Sequence, residues 1–385
     1  MVRQPGWAPG RLRPDGRAAV PGTAVTLMLQ GLTREQPRHD GVRTVLPEAL
    51  GSAEPPAYLS QFPPAINDRS GQPRCPRHSE VVMLRRGLTI RPVGSLIASQ
   101  ELPVRITTLV ENRASPDDPR LVAEWGLSLC IALDGRHVLV DMGASDAFAR
   151  NAAHLSIDIA AVDAAILSHH HSDHGGGLRH FLELNKHADI YLGAAPPGDP
   201  TVKLFGFIRK YIGLDRALIA RHAHRFRFVH ERTEILPGVF VLPRIEGAYA
   251  RPSGNKVLYL RQGRVFTPDD FRHEVVVAIQ ERDAMVVLTG CSHSGLLNMV
   301  ETVSREFPGV PIRAVVGGFH LVALPPFRGM AESARIVADI GRAVLEQGVA
   351  TTYTGHCTGR KAFDVLRAAM GDRVHEIHTG SRIDL

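Results

Sequence analysis

The sequence predicts an α/β protein of four layers, two β-sheets packed face to face with helices on the outside, over residues 104–385. Two observations carry this reading. From Val104 onward, short apolar runs alternate with helical patterns in an order that repeats in two halves. Elements ordered in this way bury their apolar faces as sheets covered by helices. In addition, the apolar run ending at Ile166-Leu167 opens straight into His169-His170-His171-Ser172-Asp173-His174 and then three glycines. A strand end therefore delivers a cluster of ligand side chains.

In the first half, strands are expected at Ile106–Val110, Leu127–Leu133, His137–Val140 and Ala164–Leu167, with helices over Asp146–Leu155 and Gly176–His187. Further strands are expected at Phe226–Val229, Val239–Leu242, Val275–Ile279 and Met285–Leu288. A helix over Leu296–Phe307, a strand over Ile312–Val316, a helix over Ala331–Gln347, a strand near Thr351 and a helix over Lys361–Met370 complete the second half. Residues 193–238 read as an insertion that shapes a pocket, with Phe205, Phe207, Tyr211 and many cations. Those cations either face an anionic substrate or belong to a solvated excursion. His222 and His224 have ligand-like spacing but no strand ahead of them, so they are not counted as ligands.

Composition sets bounds. A chain of 385 residues, 44% hydrophobic, holds one large domain or two ordinary ones, and no apolar run is long enough to span a bilayer. The net charge is +6, much of the excess being arginine in loops and the first hundred residues; a basic surface suits a small anionic or phosphorylated substrate, and equally nucleic acid. No run of lysine and arginine interleaves with aromatics, so neither nucleic acid nor membrane is an expected partner. Cys75, Cys130, Cys291 and Cys357 are too few and too scattered for a disulfide framework, which fits a cytoplasmic setting. Residues 1–103 are rich in Pro, Gly and Arg without sustained periodicity. They read as a disordered or loosely packed extension, with Met83 as a candidate initiator and no signal peptide.

The chemistry lies in His169-x-His171-x-Asp173-His174, which offers imidazoles to one metal ion and a carboxylate plus an imidazole to a second. Borderline-soft divalent ions take such ligands, zinc first and manganese or iron as alternatives, and a catalytic site keeps a position open for water. Two such ions generate a nucleophile at neutral pH and clamp the attacked group. The competing reading is a His-rich surface loop that binds metal adventitiously. Gly175–Gly177 are expected to turn the backbone tightly and start a helix whose amides meet an anion.

This motif resembles the signature of the metallo-β-lactamase fold superfamily, and other segments extend the likeness. Arg136-His-Val-Leu-Val-Asp141-Met-Gly143 is similar to the early strand of that superfamily. Thr108-Leu-Val-Glu-Asn112, Ala123-Glu-Trp-Gly-Leu-Ser128, Thr289-Gly-Cys291-Ser-His293, Gly317-Gly-Phe-His320 and Gly355-His356-Cys-Thr-Gly359 resemble the dihydropterin-ribofuranosylaminobenzene-phosphate synthase branch. The resemblance implies the αβ/βα sandwich. It also implies that His169, His171 and His293 hold the first metal, and that Asp173, His174 and His356 hold the second. Asp173 would also orient or deprotonate the attacking water, and Asp141 would steady the metal loop from behind. Cys291 is either a thiolate ligand or a small buried residue supporting its turn. His320 is expected to contact substrate or donate a proton. His170 and Gly175 stand where relatives carry Gly and Thr, and His170 is expected to point away from the metals. The implied function is metal-dependent attack by water on a small anionic, phosphorylated or pterin-like substrate. The alternatives are the synthase-type condensation, iron-based redox chemistry in the same ligands, and a non-catalytic metal-stabilised sensor.

Overall fold

In the computed structural model, which describes residues 103–323 and 329–385, the strands form three sheets. The expected N-terminal extension, with Cys75 and Met83, lies outside the described residues except for Pro103. The first main sheet has the order β18 (Arg382–Asp384), β1 (Arg105–Val110), β2 (Ser128–Leu133), β3 (Arg136–Val140), β4 (Ala164–Leu167), β5 (Asp189–Gly193) and β8 (Phe226–Val229). The second has the order β17 (Val374–Glu376), β16 (Thr351–Thr354), β15 (Ile312–Gly317), β14 (Ala284–Leu288), β13 (Val276–Glu281), β10 (Val239–Leu242) and β9 (Thr233–Leu236).

Within each sheet a run of neighbours is parallel: β3, β4, β5 and β8 in one, β14 to β17 in the other. Parallel neighbours need crossover connections, and helices supply them. These are α1 (Ala147–His154), α2 (Ser172–Gly175) and α3 (Leu178–Leu184), then α4 (Arg216–Arg221) before β8. The second half uses α5 (Leu296–Glu306), α6 (Ala334–Glu346) and α7 (Arg360–Met370).

The alternation of side chains along each strand builds the layers. Val138, Val140 and Ile166 meet Val277, Ile279, Val286 and Leu288 in a buried layer between the sheets. Leu139, Ala165 and Leu167 point outward onto Phe148 of α1 and Phe181 of α3. Met285, Val287 and Val315 point outward onto Val300, Val337 and Leu366 of α5, α6 and α7. Truncating one such side chain, Leu288 to alanine for instance, costs about 2–5 kcal/mol in a core of this kind. The four-layer αβ/βα sandwich expected from the sequence is the architecture found.

Some details differ from expectation. Strand β5 was not foreseen, because Asp189 and Tyr191 interrupt its apolar run. Of residues 193–238, β8 and β9 are edge strands of the main sheets. The segment containing β6 (Asp199–Leu204) and β7 (Ile208–Tyr211) joins β11 (Leu258–Gln262) and β12 (Val265–Pro268) in a third sheet. That sheet is tied to the ligand loop, since Ser172 N donates to Ile212 O at 2.7 Å. Gly175–Gly177 do not make a tight turn. The single turn α2 comes first, and α3 then begins at Leu178 with Gly177 as its N-cap; Gly176 and Gly177 both have ordinary negative φ. These glycines are needed for close approach: a Cβ at Gly176 would lie 2.3 Å from Ala144 O, and one at Gly177 2.3 Å from Met142 O.

Candidate metal centre

The carboxyl ends of the parallel strands of both sheets converge on one edge, where α/β sheets usually place their ligands. Asp141 follows β3, His169–His174 follow β4, Cys291 and His293 follow β14, His320 follows β15 and His356 follows β16. The backbone turns sharply at these exits: Asp141, Ser292, His320 and His356 have φ of 60°, 61°, 50° and 50°. Left-handed non-glycine residues are costly and persist only where their surroundings impose them.

One half of the site gathers Asp173, His174, Cys291 and His356. His174 Nε2 lies 3.1 Å from His356 Nε2 and 3.1 Å from Cys291 Sγ, which in turn is 3.3 Å from His356 Nε2. Asp173 Oδ2 is 3.8 Å and 3.6 Å from the two imidazole nitrogens and accepts from Trp125 Nε1 at 3.1 Å. The other ring nitrogens are occupied. His174 Nδ1 is 2.7 Å from Asp141 Oδ2, and His356 Nδ1 is 3.0 Å from Asn112 Oδ1. Asn112 Oδ1 also accepts from Gly126 N, which fixes that amide's orientation. Carboxylate and amide oxygens only accept, so both Nδ1 atoms carry protons and both Nε2 atoms point inward. Donors packed this closely repel unless a proton or cation lies among them. Burial alone would lower the pKa of His174, but Asp141 and Asp173 outweigh it and raise it to about 9.

The other half gathers His169, His171 and His293, with ring centroids 4.5–5.0 Å apart. Their three Nε2 atoms are buried without a hydrogen-bond partner among the described residues. An orphaned buried nitrogen costs about 1–3 kcal/mol, so three together mark a place that an ion or water would fill. Behind them Asp141 acts again: its Oδ2 accepts from Ser168 Oγ at 2.7 Å, and that Oγ faces His169 Nδ1 at 2.9 Å. Such partners fix tautomer and ring direction in metal sites. Burial also keeps these imidazoles neutral, with His171 lowered to about 3 and His169 and His293 well below the usual range. Cys291 lies close to His169 and His293 as well as to the other group, so its sulfur stands between the halves. The donor set suits two divalent ions of the zinc type.

Of the remaining sequence candidates, His320 is buried beside His293, ring centroids 4.1 Å apart, with both ring nitrogens unpartnered among the described residues. His170 turns away, its Nε2 3.0 Å from Gly193 O. His222 and His224 sit near each other beyond α4, outside every ligand cluster found. Several residues at the site were not singled out individually from the sequence. Glu111 accepts from His356 N and from Arg113 N. His273, which precedes β13, is spent on Asp269 Oδ2 through Nε2 at 3.1 Å and on His170 N through Nδ1. Glu111 and Asn112 stood inside a recognised segment, whereas the sequence around His273 carried no signal beyond a charged pair ahead of an apolar run.

Proton release distinguishes the roles of Cys291. Burial pushes its thiol well above the usual range. Zinc binding at about pH 7 is therefore expected to expel one proton from His174 and one from Cys291, besides any released by ionisation of metal-bound water. Cys291→Ser is expected to release one fewer in an indicator titration. An unchanged count means that the sulfur does not bind metal as a thiolate.

Comparison with known proteins bears on the same elements. Residues 125–269 match the family model of the Metallo-beta-lactamase superfamily. The 7,8-dihydropterin-6-methyl-4-(beta-D-ribofuranosyl)-aminobenzene-5'-phosphate synthase of Methanocaldococcus jannaschii is 29% identical over 299 residues, 73% of this chain and 96% of that protein. An uncharacterised protein of the same organism is 25% identical over 229 residues, 57% of this chain and 80% of its own. A solved structure described as a metal-dependent hydrolase of the beta-lactamase superfamily is 26% identical with a TM-score of 0.58, covering 73% of this chain and 99% of that one.

Proposed function

For a chain with the metallo-β-lactamase fold, we propose a metal-dependent enzyme that directs water at a small anionic substrate. It would hold two divalent ions, zinc first, with manganese or iron as alternatives. The single observation behind this reading is the set of bare Nε2 atoms of His169, His171 and His293 beside the inward-facing quartet of Asp173, His174, Cys291 and His356. Bound there, the ions supply a nucleophile at neutral pH and draw charge from the attacked group. Asp173, its Oδ2 steadied by Trp125, orients the water and takes its proton. His320 reaches the substrate and returns a proton to the leaving group. Free thiols at Cys130, Cys291 and Cys357 support a reducing, cytoplasmic setting. No helix among the described residues is long and apolar enough to cross a membrane.

A second reading, condensation, is favoured by the printed activity of the Methanocaldococcus relative. Zinc- or manganese-loaded protein tested on a phosphodiester, a phosphomonoester and a lactone is expected to hydrolyse at least one. Coupling of a dihydropterin to ribofuranosylaminobenzene phosphate without hydrolysis favours condensation instead. Inertness in both assays contradicts the enzyme reading and leaves a metal-stabilised sensor.

A further inference from the structure

We infer that Asn255, Phe271 and Glu274 form a holder that fixes the tautomer and ring plane of His293, and so act as positioning residues for the first metal position. This inference rests on the reading of His293 as a ligand. Three of the other imidazoles draw their Nδ1 partners from strand exits of the main sheets or the segments just beyond them: Asp141 for His174, Ser168 for His169, Asn112 for His356. His293 depends instead on the segments that flank the third sheet.

Asn255 stands on a short 3-10 turn, Ser253–Val257, directly before β11. Its Nδ2 donates to His293 O at 2.8 Å. That bond settles which end of the amide faces the ring, so it is Oδ1 that lies 2.9 Å from His293 Nδ1. An amide oxygen has no proton to give, so the imidazole proton must sit on Nδ1 and Nε2 is left as a bare lone pair. Glu274, fully buried, accepts from His293 N at 2.8 Å and from Ser294 N at 2.6 Å, one carboxylate oxygen to each. This clamp locks the peptide that carries the ring. Phe271 lies flat against the imidazole, with centroids 4.2 Å apart and planes 6° apart. Phe271 is itself held at φ 52° by Asp269, whose Oδ1 accepts from Phe271 N at 2.8 Å. One connection thus fixes the proton, another the backbone, and the stacked ring the plane.

The test uses the full chain, first metal-free and then loaded with zinc. In long-range nitrogen–proton NMR of the metal-free protein, His293 is expected to show its proton on Nδ1. Asn255→Ala is expected to move or mix that signal. Chelator competition is expected to show one of two zinc ions weakened about 10–100-fold in Asn255→Ala and in Phe271→Leu, the usual effect of losing such a partner, with the other ion unchanged. Asn255→Asp, which keeps an oxygen facing Nδ1, is expected to restore the weakened ion. If Asn255→Ala fails to fold, Phe271→Leu gives the same reading alone. Two ions bound as tightly as in the wild type by Asn255→Ala and Phe271→Leu overturn the holder, and so does Asn255→Asp as weak as Asn255→Ala. A wild-type protein that binds no zinc overturns the ligand reading itself.

Discussion

Replacing His169 and His171 together with alanine is expected to remove metal and turnover in one step. Each contributes a buried Nε2 that nothing else among the described residues engages. Their loss leaves His293 as the one imidazole of the first position, too few for a zinc ion that wants three or four protein ligands. Without the ions no nucleophile forms at neutral pH, so turnover is expected to fall to the level of buffer. The fold should survive, because both side chains stand at a strand exit rather than between the sheets. Metal analysis with a melting curve checks this. Full metal content in a folded double variant sinks the assignment.

The second large effect separates binding from chemistry. His320→Ala is expected to keep metal near the wild-type level while turnover falls by roughly 10²–10⁴, the usual loss for an acid–base group. Asp173→Ala is expected to disturb both, because the Asp173 carboxylate faces His174 and His356 and, in the proposed reaction, would orient the attacking water. The neighbourhood of His320 makes the outcome decisive. Its backbone N donates to Cys357 Sγ at 3.2 Å, and its ring lies close to the sulfurs of Cys291 and Cys357. If His320→Ala empties a metal position, His320 is a ligand and the division of roles is wrong. If neither metal nor rate changes, it is a structural residue of the strand exit.

The layered fold was legible because it is written in local periodicity. Val138, Val140 and Ile166 alternate with outward residues, and the ligand cluster follows its strand without a gap. Strand β5 escaped because Asp189 and Tyr191 occupy half-buried positions where polar groups are tolerated. Strand β18 escaped because only pairing with β1, at the other end of the domain, makes Arg382–Asp384 a strand. The glycines after His174 are visible in the sequence, but their reason, contact with Met142 and Ala144 rather than a turn, exists only in the folded chain. The candidate ligands could be named from spacing and resemblance, and the structure brings their side chains together. Their supports could not: Asn255 lies 38 residues before His293, and Glu274 meets it only through the way the loop before β13 packs against the exit of β14. A contact made by sheet packing leaves no periodic trace in the chain.

The most direct measurement is anomalous scattering at the zinc edge from crystals of the zinc-loaded protein. Two peaks are expected, one bounded by the Nε2 atoms of His169, His171 and His293, the other by Asp173 Oδ2 and the Nε2 atoms of His174 and His356. A single peak, or peaks away from these atoms, contradicts the dinuclear centre.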